Sequence, residues 1–554
     1  MIVLDVVMIV ALAGAYVAQM LRWLRVLQRE HYEAGSMSRF LGRWSSPQVG
    51  AVTKQKLRAE LADHSPRLAR RDDFVGAQQH DREKLAPRPE RPKYRPITLS
   101  QVLVVVFVGA LIVREPVFYV AVAVVYGLAC PVGLSIKGQT SALAWTRRLV
   151  TIAALASLIA VAISLLGIPA HQHWLPVVVV VWAVPVILDL TARALKPYEG
   201  RRAQAFVDQA VTRLDRVRPR VVAITGSYGK TSTKNHVVDL LAVDGGVVAT
   251  PRSFNNRAGL SRAINENLAD GTRVFIAEMG TYGPGEIRAM CAWCVPEIAV
   301  ITAIGPVHLE RMKTIEVIES AKFEITEKAS VVIVNIDDPV LARWPAQRAS
   351  NTRRYRTVGS QNADASVRIR VDGDEWTLLV DSVVLGTFPA PTSVQPTNLA
   401  CALAVAIELG VATDQLVSRA SLVSPVANRS NVVTAASGVA VIDDTFNANP
   451  QSAISALKTL SNVAPSGRRV VVTPGLIELG REQYGENLAF AQKVAAAQDE
   501  LVIVKRTNAL PLENGFKGPV RRFNSRDEAV SWVRASLVAG DGVLYLNDLP
   551  DHYP

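Results

Sequence analysis

Cysteine is scarce in this sequence, with four residues in a chain of 554. Four cysteines cannot supply a disulfide framework for a chain of this length, so its stability must come from buried apolar surface. Cys291 and Cys294 form a lone CxxC motif with no second pair. The pattern favours two packed helix cysteines over the alternative of a zinc or redox site.

Acidic residues are also in short supply, since 49 Asp and Glu face 61 Lys and Arg and the formal net charge is +12. A basic chain can bind nucleic acid, but much of this excess lies between long apolar segments. The mean hydropathy of +0.19 is high for a soluble protein, and the apolar surplus lies before residue 195. We therefore expect the charge to orient the chain in a lipid bilayer, and we predict no nucleic-acid partner.

Five apolar segments are read as membrane spans, each judged against the roughly 20 residues that a bilayer core requires. They cover residues 2–21, 99–113, 117–136, 149–167 and 174–190. The second is short and is predicted to form a hairpin with the third, with a re-entrant pair as the alternative. The first is predicted to be an anchor rather than a cleaved signal peptide, because it lacks a basic start and carries Asp5.

The charges of the loops between these segments indicate on which side of the membrane each loop lies. Residues 22–97, residues 137–148 and the stretch after the last span are basic, whereas the opposite loops carry only Arg114 and the sequence PAHQH. The positive-inside rule then places the amino terminus outside and the basic stretches in the cytoplasm. We predict an anchor at 1–21, a basic cytoplasmic linker at 22–97 and about four transmembrane helices at 98–195.

The sequence pattern changes from Arg220 onward, where apolar runs of 5–7 residues alternate with helical patterns. This alternation is typical of an open α/β sheet. Residues 365–386 alternate with period two around Asp372-Gly373, which predicts a β-hairpin insert. A second α/β unit is predicted to begin near Asn431. The fold class is thus an α-helical transmembrane region followed by α/β, with domains at 205–430 and 431–554.

The segment VVAITGSYGKTST, residues 221–233, predicts a strand that runs into a glycine turn and a helix. Gly226 and Gly229 allow backbone N–H groups to approach phosphate oxygens, Lys230 supplies a charge, and the Thr231 hydroxyl can ligate Mg²⁺. The predicted cradle consists of Gly226, Ser227, Tyr228, Gly229, Lys230, Thr231 and Ser232. A purely structural turn is the alternative, because Ile224 stands where the common GxxxxGK[ST] pattern has its first glycine.

Two further side chains are expected at the same edge of the sheet. Glu278 ends a predicted strand at 274–277, and His308 follows a predicted strand at 298–304. Ligands bind at the carboxyl ends of strands in open α/β sheets, and a carboxylate, an imidazole and the Thr231 hydroxyl suit Mg²⁺. The alternatives are an ordinary strand-end carboxylate and a capping histidine.

Lys322 lies within the apolar stripe of a predicted helix at 314–329, together with Ile315, Ile318, Ile325 and Ala329. A lysine in apolar surroundings has a lowered pKa and is partly neutral, and a neutral amine can capture CO₂. The alternative is a lysine that reaches solvent and pairs with Glu319.

The combination TGxxGKT[ST], followed in order by further motifs, resembles the Mur ligase family, the ATP-dependent amide-forming ligases of bacterial cell-wall synthesis. The motifs are TPRSFNNRAG (250–259), FIAEMGTYGPGEI (275–287), GPVHLERM (305–312) and ESAKFEI (319–325). VIDDTFNANPQS (441–452) and GLIELG (475–480) are most similar to the subfamily that adds D-alanyl-D-alanine to the muramoyl tripeptide. The resemblance covers roughly residues 220–554.

The resemblance implies roles for individual residues. Lys230, Glu278, His308 and Lys322 would be catalytic, and Thr231, Glu278, His308 and a carbamate on Lys322 would hold Mg²⁺. Asn398 and Arg429 would bind ATP, and Asp444 would close over it from the final domain. The residues that would bind substrate are Asn255, Asn256, Asn447 and Asn449. Two departures reshape the adenine pocket, namely Pro396-Thr397-Asn398 in place of Gly-x-His-Asn and Asn428 in place of a glycine.

The resemblance also implies a Mur-type P-loop ATPase domain, a Rossmann-like C-terminal domain, and amide synthesis through an acyl phosphate with ATP and Mg²⁺. The partners would be a carboxylate acceptor, an amino acid or dipeptide, and the lipid bilayer. Apolar segments stand where this family has a domain for the UDP end of its substrate, so we expect an acceptor held at the bacterial cell membrane. A lipid-linked acceptor and a UDP-linked acceptor are both left open. A poly-γ-glutamate synthetase-like ligase, an ATP-driven transporter and an inactive scaffold are the alternatives.

Overall fold

A computed structural model describes residues 2–29, 32, 37, 116–131, 134, 143–165, 174–251, 254–348, 353–391, 394–423, 431–445 and 449–547. The predicted segment 99–113, most of the predicted linker at 22–97, Arg429 and Asn447 lie outside the described residues. The chain divides into two compact units, one built mainly from Met1–Pro197 and the other from Tyr198–Val504 and Pro511–Asp548.

The first unit consists of apolar helices. They are α1 (Ile2–Arg29), α2 (Pro116–Ala129), α3 (Arg147–Leu165) and α4 (Trp174–Val217), the last of which continues into the second unit. Among the described residues, three stretches are long and apolar enough to cross a membrane, namely Leu4–Gln28, Arg147–Leu165 and Trp174–Val217. These coincide with the first, fourth and fifth predicted segments, although α1 continues well past the predicted end at residue 21.

The third predicted segment is shorter as a helix than its apolar run suggested. α2 has 14 residues, which corresponds to about 21 Å and falls short of a bilayer core of about 30 Å. Two buried side chains of α1 cap the carboxyl-terminal end of α2. Gln19 Nε2 donates to Cys130 O at 2.6 Å, and the Arg22 guanidinium donates to Gly127 O at 2.6 Å and Leu134 O at 3.1 Å. The cap satisfies carbonyls that a helix end leaves without partners.

The second unit contains a nine-stranded sheet in the order β2-β3-β1-β4-β5-β6-β7-β8-β9. Neighbouring strands are parallel from β2 to β7 and antiparallel from β7 to β9. The strands are β1 (Arg220–Thr225), β2 (Val247–Ala249), β3 (Val274–Glu278), β4 (Ile298–Ile301), β5 (Val331–Asn335), β6 (Arg354–Gly359), β7 (Val367–Asp372), β8 (Glu375–Val380) and β9 (Val383–Pro389).

Helices cover both faces of this sheet, which explains its continuous apolar strands. They are α5 (Lys230–Leu241), α6 (Arg257–Asn267), α7 (Glu286–Cys291), α8 (Leu309–Met312), α9 (Ile315–Phe323), α10 (Trp344–Gln347), α11 (Pro396–Glu408) and α12 (Thr413–Ala420). Successive residues of β1 serve two different cores. Val222 and Ile224 pack in one cluster with residues of α5 and α11, and Val221 and Ala223 pack in the other with residues of α6 and α9.

The predicted hairpin insert is confirmed. β7 and β8 pair in antiparallel fashion up to Asp372 and Glu375, and Gly373 adopts a φ of 64° in the turn. This left-handed conformation suits glycine, which has no Cβ to clash.

A six-stranded sheet follows, in the order β10-β11-β15-β12-β13-β14. Its strands are β10 (Asn431–Thr434), β11 (Ala440–Asp444), β12 (Arg469–Thr473), β13 (Glu500–Val504), β14 (Val520–Phe523) and β15 (Gly542–Leu546). Its helices are α13 (Pro450–Val463), α14 (Gln483–Ala497), α15 (Ala509–Gly515) and α16 (Arg526–Ser536). Only the β10–β11 pair is antiparallel among the described strands of this sheet. The predicted α/β class is therefore confirmed, with mixed sheets.

Two predicted elements were too long. The helix predicted at 314–329 ends at Phe323 and continues as a 3₁₀ turn, Glu324–Thr326. The Glu324 carboxylate is buried and accepts hydrogen bonds from Gly285 N at 2.6 Å and Arg288 N at 3.0 Å, a tertiary contact that local periodicity does not reveal. The strand predicted at 298–304 ends at Ile301, and the next residue's carbonyl accepts a hydrogen bond from Asn335 Nδ2.

Candidate functional site

The loop between β1 and α5 is built on two glycines with positive φ, 151° at Gly226 and 80° at Gly229. A Cβ at Gly226 would collide with Thr302 Oγ1, and a Cβ at Gly229 would collide with the side-chain amide of Asn398. Both positions thus require glycine for two reasons, the backbone conformation and the close neighbour.

The segment that follows β4 holds this loop in place. Ser227 N donates to Ala303 O at 2.7 Å, and Gly305 N donates to Ser227 Oγ at 2.9 Å. The Tyr228 ring packs over Gly305, where an added Cβ would lie 2.5 Å from Cε2 of the ring. The loop is therefore preorganised by its neighbours.

The loop ends at the amino terminus of α5, where backbone N–H groups and the helix dipole favour an anion. Lys230, the first residue of α5, folds back so that Nζ donates to Gly226 O at 2.8 Å. Thr231 and Ser232 follow in the first turn and are half-buried. The buried Tyr228 hydroxyl and Thr225 Oγ1 find no hydrogen-bond partner among the described residues. The loop and the first turn of α5 thus carry several polar groups next to the helix amino terminus.

Glu278 ends β3 beside this loop, because Glu278 pairs with Ile224 in the parallel register of β1 and β3. Its carboxylate is buried, with Oε2 accepting from Thr231 Oγ1 at 3.0 Å and Oε1 accepting from Asn255 Nδ2 at 3.2 Å. The structure therefore brings together three of the predicted residues: Thr231, Asn255 and Glu278.

Lys234 was not anticipated from the sequence. Its Nζ lies 3.2 Å from Glu278 Oε2, and the two side chains are 3% and 1% exposed. The same Nζ donates to Thr250 O at 2.8 Å. Burial of an unpaired carboxylate is very costly, so the contact with this lysine offsets the cost of burying Glu278 beneath the loop. The available signal was its position one helical turn after Lys230, on the same face of α5.

His308 has other neighbours. Its Nδ1 lies 2.6 Å from Glu478 Oε2, and its ring packs edge-on against Tyr282 with centroids 4.8 Å apart. Among the described residues, no three His, Cys, Asp or Glu side chains form a group that could hold a metal ion. His308 is therefore not grouped with Glu278 in this arrangement, and its role as a metal ligand stays a prediction.

Lys322 is buried, at 3% exposure, within the apolar stripe of α9 that includes Ile318. Burial, and secondly the charge of Lys230, lowers the pKa of Lys322 well below its ordinary value. The alternative partner, Glu319, instead accepts hydrogen bonds from Trp344 Nε1 at 2.8 Å and Arg348 at 3.0 Å. The buried site therefore favours a neutral amine at Lys322 over an ion pair with Glu319.

Other predicted site residues cap helices, contact the loop or are buried at a strand end. The side chain of Asn256 caps α6 by accepting from Gly259 N at 2.9 Å, and Asn449 Oδ1 accepts from Ser452 N at 2.9 Å at the start of α13. Asn398 lies against Gly229 of the loop. Asp444 ends β11 and is buried. Their roles toward nucleotide or substrate stay predictions.

The CxxC cysteines are packed thiols. Cys291 and Cys294 are buried, and burial raises the pKa of Cys291 to about 12 and that of Cys294 further. Both sulfurs are therefore protonated at neutral pH, whereas a metal or redox site requires thiolates. The sequence interpretation of packed cysteines is supported, although only Cys291 lies in a helix.

The donors of this site suit a phosphate chain and a hard divalent cation. The glycine cradle, the amino terminus of α5 and Lys230 present positive charge and backbone N–H groups. Thr231 and Glu278 present a hydroxyl and a carboxylate in contact with each other, and Mg²⁺ prefers oxygen ligands of these kinds.

Comparison with protein families gives two matches. Residues 224–406 match the Mur ligase middle domain, and residues 428–546 match the Mur ligase glutamate ligase domain. Together the two ranges make up more than half of the chain.

Individual proteins give the same picture. A UDP-N-acetylmuramoyl-tripeptide–D-alanyl-D-alanine ligase of Mycobacterium leprae is 34% identical over 273 residues, which cover 46% of this chain and 53% of that protein. The Bacillus subtilis protein of the same name is 28% identical, over 53% of this chain and 62% of its own. The chain spans about half the length of the mycobacterial relatives that it matches.

Solved structures share the fold. MurF of Acinetobacter baumannii has a TM-score of 0.54 and 22% identity, and it covers 63% of this chain and 78% of its own. MurF of Thermotoga maritima in complex with ADP has a TM-score of 0.54 and 23% identity, over 62% and 80% of the two chains.

Lys234→Met should destabilise the second unit, because it leaves the Glu278 carboxylate buried without its cation. Loss of one partner from a buried ion pair costs about 3–5 kcal/mol. The measurement is the free energy of unfolding in denaturant. Lys328→Met, at an exposed lysine, is the matched control.

The double variant Lys234→Met/Glu278→Leu removes both charges and should recover most of the lost stability. A double variant as unstable as the sum of the two single variants would contradict the importance of this pair.

Proposed function

The chain belongs to the Mur ligase family, and on this premise we propose that it is an ADP-forming, ATP-dependent ligase. It joins a carboxylate to an amine through an acyl phosphate. The observation that carries the proposal is the contact between Thr231 and Glu278 directly beneath the glycine cradle and the amino terminus of α5.

The cradle and Lys230 hold the phosphates. In the structure, Lys230 Nζ binds the loop's own carbonyl at Gly226, and a phosphate oxygen is a stronger, charged acceptor for the same ammonium group. In the proposed function, Lys230 therefore moves from the loop carbonyl to the terminal phosphate. There it stabilises charge that develops as the acceptor carboxylate attacks.

Mg²⁺ would be held by Thr231 and Glu278, with His308 and Lys322 contributing to a second position. When bound, Mg²⁺ neutralises negative charge on the transferring phosphoryl group. Lys234 holds the Glu278 carboxylate in place in the absence of the cation, since it occupies one carboxylate oxygen and leaves lone pairs on the other.

Lys322 would act as a carbamate. Its buried, neutral amine attacks CO₂ and forms an N–C bond as one C=O π bond opens, and the nitrogen then releases a proton to water. The product is an anionic carbamate whose oxygens can ligate a cation. The pKa shift supports this step, because the neutral amine is the nucleophile and a lowered pKa increases the fraction of Lys322 that is neutral.

The substrates follow from the relatives. The Mycobacterium leprae protein is named for a UDP-linked muramoyl tripeptide and D-alanyl-D-alanine, so we propose an acceptor of the muramoyl-peptide class and a dipeptide or amino acid as amine. The final domain would supply Asp444 and Asn449 near the amine or ribose. Arg429, Asn447 and Asn398 keep their predicted roles toward ATP and substrate.

We further propose that the acceptor is held at a membrane. In the part of the chain that the structure describes, three helices that begin before the ligase domains are long and apolar enough to span a bilayer. The basic stretches beside them would keep the ligase domains in the cytoplasm. A membrane-attached enzyme meets a lipid-linked acceptor in the plane where that acceptor is confined, so we propose a lipid-linked rather than a UDP-linked substrate.

The test is ADP release by the full-length protein with ATP, Mg²⁺ and a panel of acceptors and amines. We expect release only when a muramoyl-peptide acceptor and an amine are both present, with the lipid-linked acceptor favoured. Lys230→Ala should reduce the rate about 100-fold or more, because it removes a charge that stabilises the transition state. Lys328→Ala, at an exposed lysine, should leave the rate unchanged.

Other results would redirect the proposal. If only the UDP-linked acceptor, together with an amine, supports ADP release, the proposed lipid-linked substrate is wrong but the proposed ligase activity stands. Release driven by glutamate without a muramoyl acceptor would favour poly-γ-glutamate synthesis. ATP turnover with lipid alone would favour a transporter.

The carbamate predicts a ¹³C resonance when the protein is equilibrated with ¹³C-bicarbonate. The signal should disappear in Lys322→Arg and persist in Lys328→Arg. It should also weaken as the pH falls below the lowered pKa of Lys322, because protonation removes the nucleophilic lone pair. An unchanged signal in Lys322→Arg would show that CO₂ binds elsewhere.

A further inference from the structure

Two separate parts of the described chain hold His308 in place. Tyr282 packs edge-on against its imidazole from the segment after β3, and Arg311 lies 4.9 Å above the Tyr282 ring. From the domain of the six-stranded sheet, Glu478 Oε2 reaches His308 Nδ1 at 2.6 Å. The ring is thus oriented by one domain and hydrogen-bonded by the other.

The chemistry of this contact fixes the tautomer of His308. An ionised carboxylate only accepts hydrogen bonds, so Nδ1 must carry the proton that it shares with Glu478. In a neutral imidazole the proton is then absent from Nε2, and Nε2 is left with the lone pair that a metal ion requires. Histidine ligands of metal ions commonly donate their other ring N–H to a carboxylate or a carbonyl for this reason.

Hydrogen bonds fix the backbone of the segment that carries Glu478. Leu476 N donates to Asn487 Oδ1 at 2.7 Å, and Asn487 Nδ2 donates back to Leu476 O at 2.9 Å, with both residues buried. Glu478 itself has a φ of 63°, in the left-handed region that non-glycine residues seldom occupy. Such conformations persist only where surrounding contacts impose them.

His308 shares this feature, with a φ of 54° at the residue that precedes α8. The two side chains are 31% and 42% exposed, so their contact is partly open to solvent rather than part of a core. Packing alone therefore does not explain two left-handed residues that face each other from different domains.

We propose that Glu478 is a positioning residue that readies His308 for a divalent cation, and this rests on the proposed function. Because Glu478 belongs to the C-terminal domain, the Nε2 lone pair is fixed only when that domain is docked on the ATP domain. Domain closure and completion of the metal site are then one event. The sequence motif GLIELG contains Glu478, but it gave no indication of this partner 170 residues away.

The test measures Mn²⁺ binding to the full-length protein in the presence of a non-hydrolysable ATP analogue. The electron paramagnetic resonance signal of free Mn²⁺ reports how much of the ion is bound. Loss of an outer partner of a metal ligand typically weakens metal affinity about 10–100-fold, so Glu478→Ala should raise the Mn²⁺ Kd by about that factor. Glu478→Gln can still accept from Nδ1–H and should recover most of the affinity. Glu482→Ala, an exposed carboxylate on the same segment, should bind as the unmodified protein does.

A double-mutant cycle separates this role from a structural one. If Glu478 acts through His308, then Glu478→Ala should cause no further loss in a His308→Ala protein. An unchanged Kd in Glu478→Ala, or an equal loss with and without His308, would overturn the inference while leaving the proposed function standing. Absence of nucleotide-dependent Mn²⁺ binding in the unmodified protein would overturn both.

Discussion

The buried ion pair between Lys234 and Glu278 is the constraint on which the rest of the site depends. A carboxylate at 1% exposure is tolerated because Lys234 lies 3.2 Å away and is itself anchored on Thr250 O. With the charge so fixed, Thr231 and Asn255 can both donate to Glu278, and the first turn of α5 is held against the end of β3. The glycine loop and the oxygen atoms that are proposed to hold a cation are therefore positioned by one arrangement of charges.

Much of this site could be predicted from the sequence, because the loop and Glu278 are local features. A glycine turn after an apolar strand and a carboxylate at a strand end both predict a ligand edge in a parallel sheet. Lys234 could not be assigned in this way, since a lysine in a polar helix start is usually solvated. Its burial depends on the register of β1 with β3 and on Thr250 after β2, which are contacts distant in sequence.

The same limit applies at larger scale. Hydropathy located the apolar helices, but it could not indicate that α2 ends at Ala129, because that end is defined by Gln19 and Arg22 of α1 more than 100 residues earlier. Periodicity placed Lys322 in a buried stripe and overestimated the helix that carries it, since the 3₁₀ turn at Glu324 depends on contacts with Gly285 and Arg288. Local patterns thus predicted element types, and tertiary hydrogen bonds decided where the elements end.

The central claim is that this pocket activates a carboxylate by phosphorylation, and the fate of one oxygen atom tests it. In the proposed reaction a carboxylate oxygen attacks the terminal phosphorus, and the amine then displaces phosphate with that oxygen attached. An acceptor labelled with ¹⁸O in its carboxylate should therefore yield inorganic phosphate that carries one ¹⁸O for each amide formed, as read by mass spectrometry. Unlabelled phosphate alongside amide product would contradict the account.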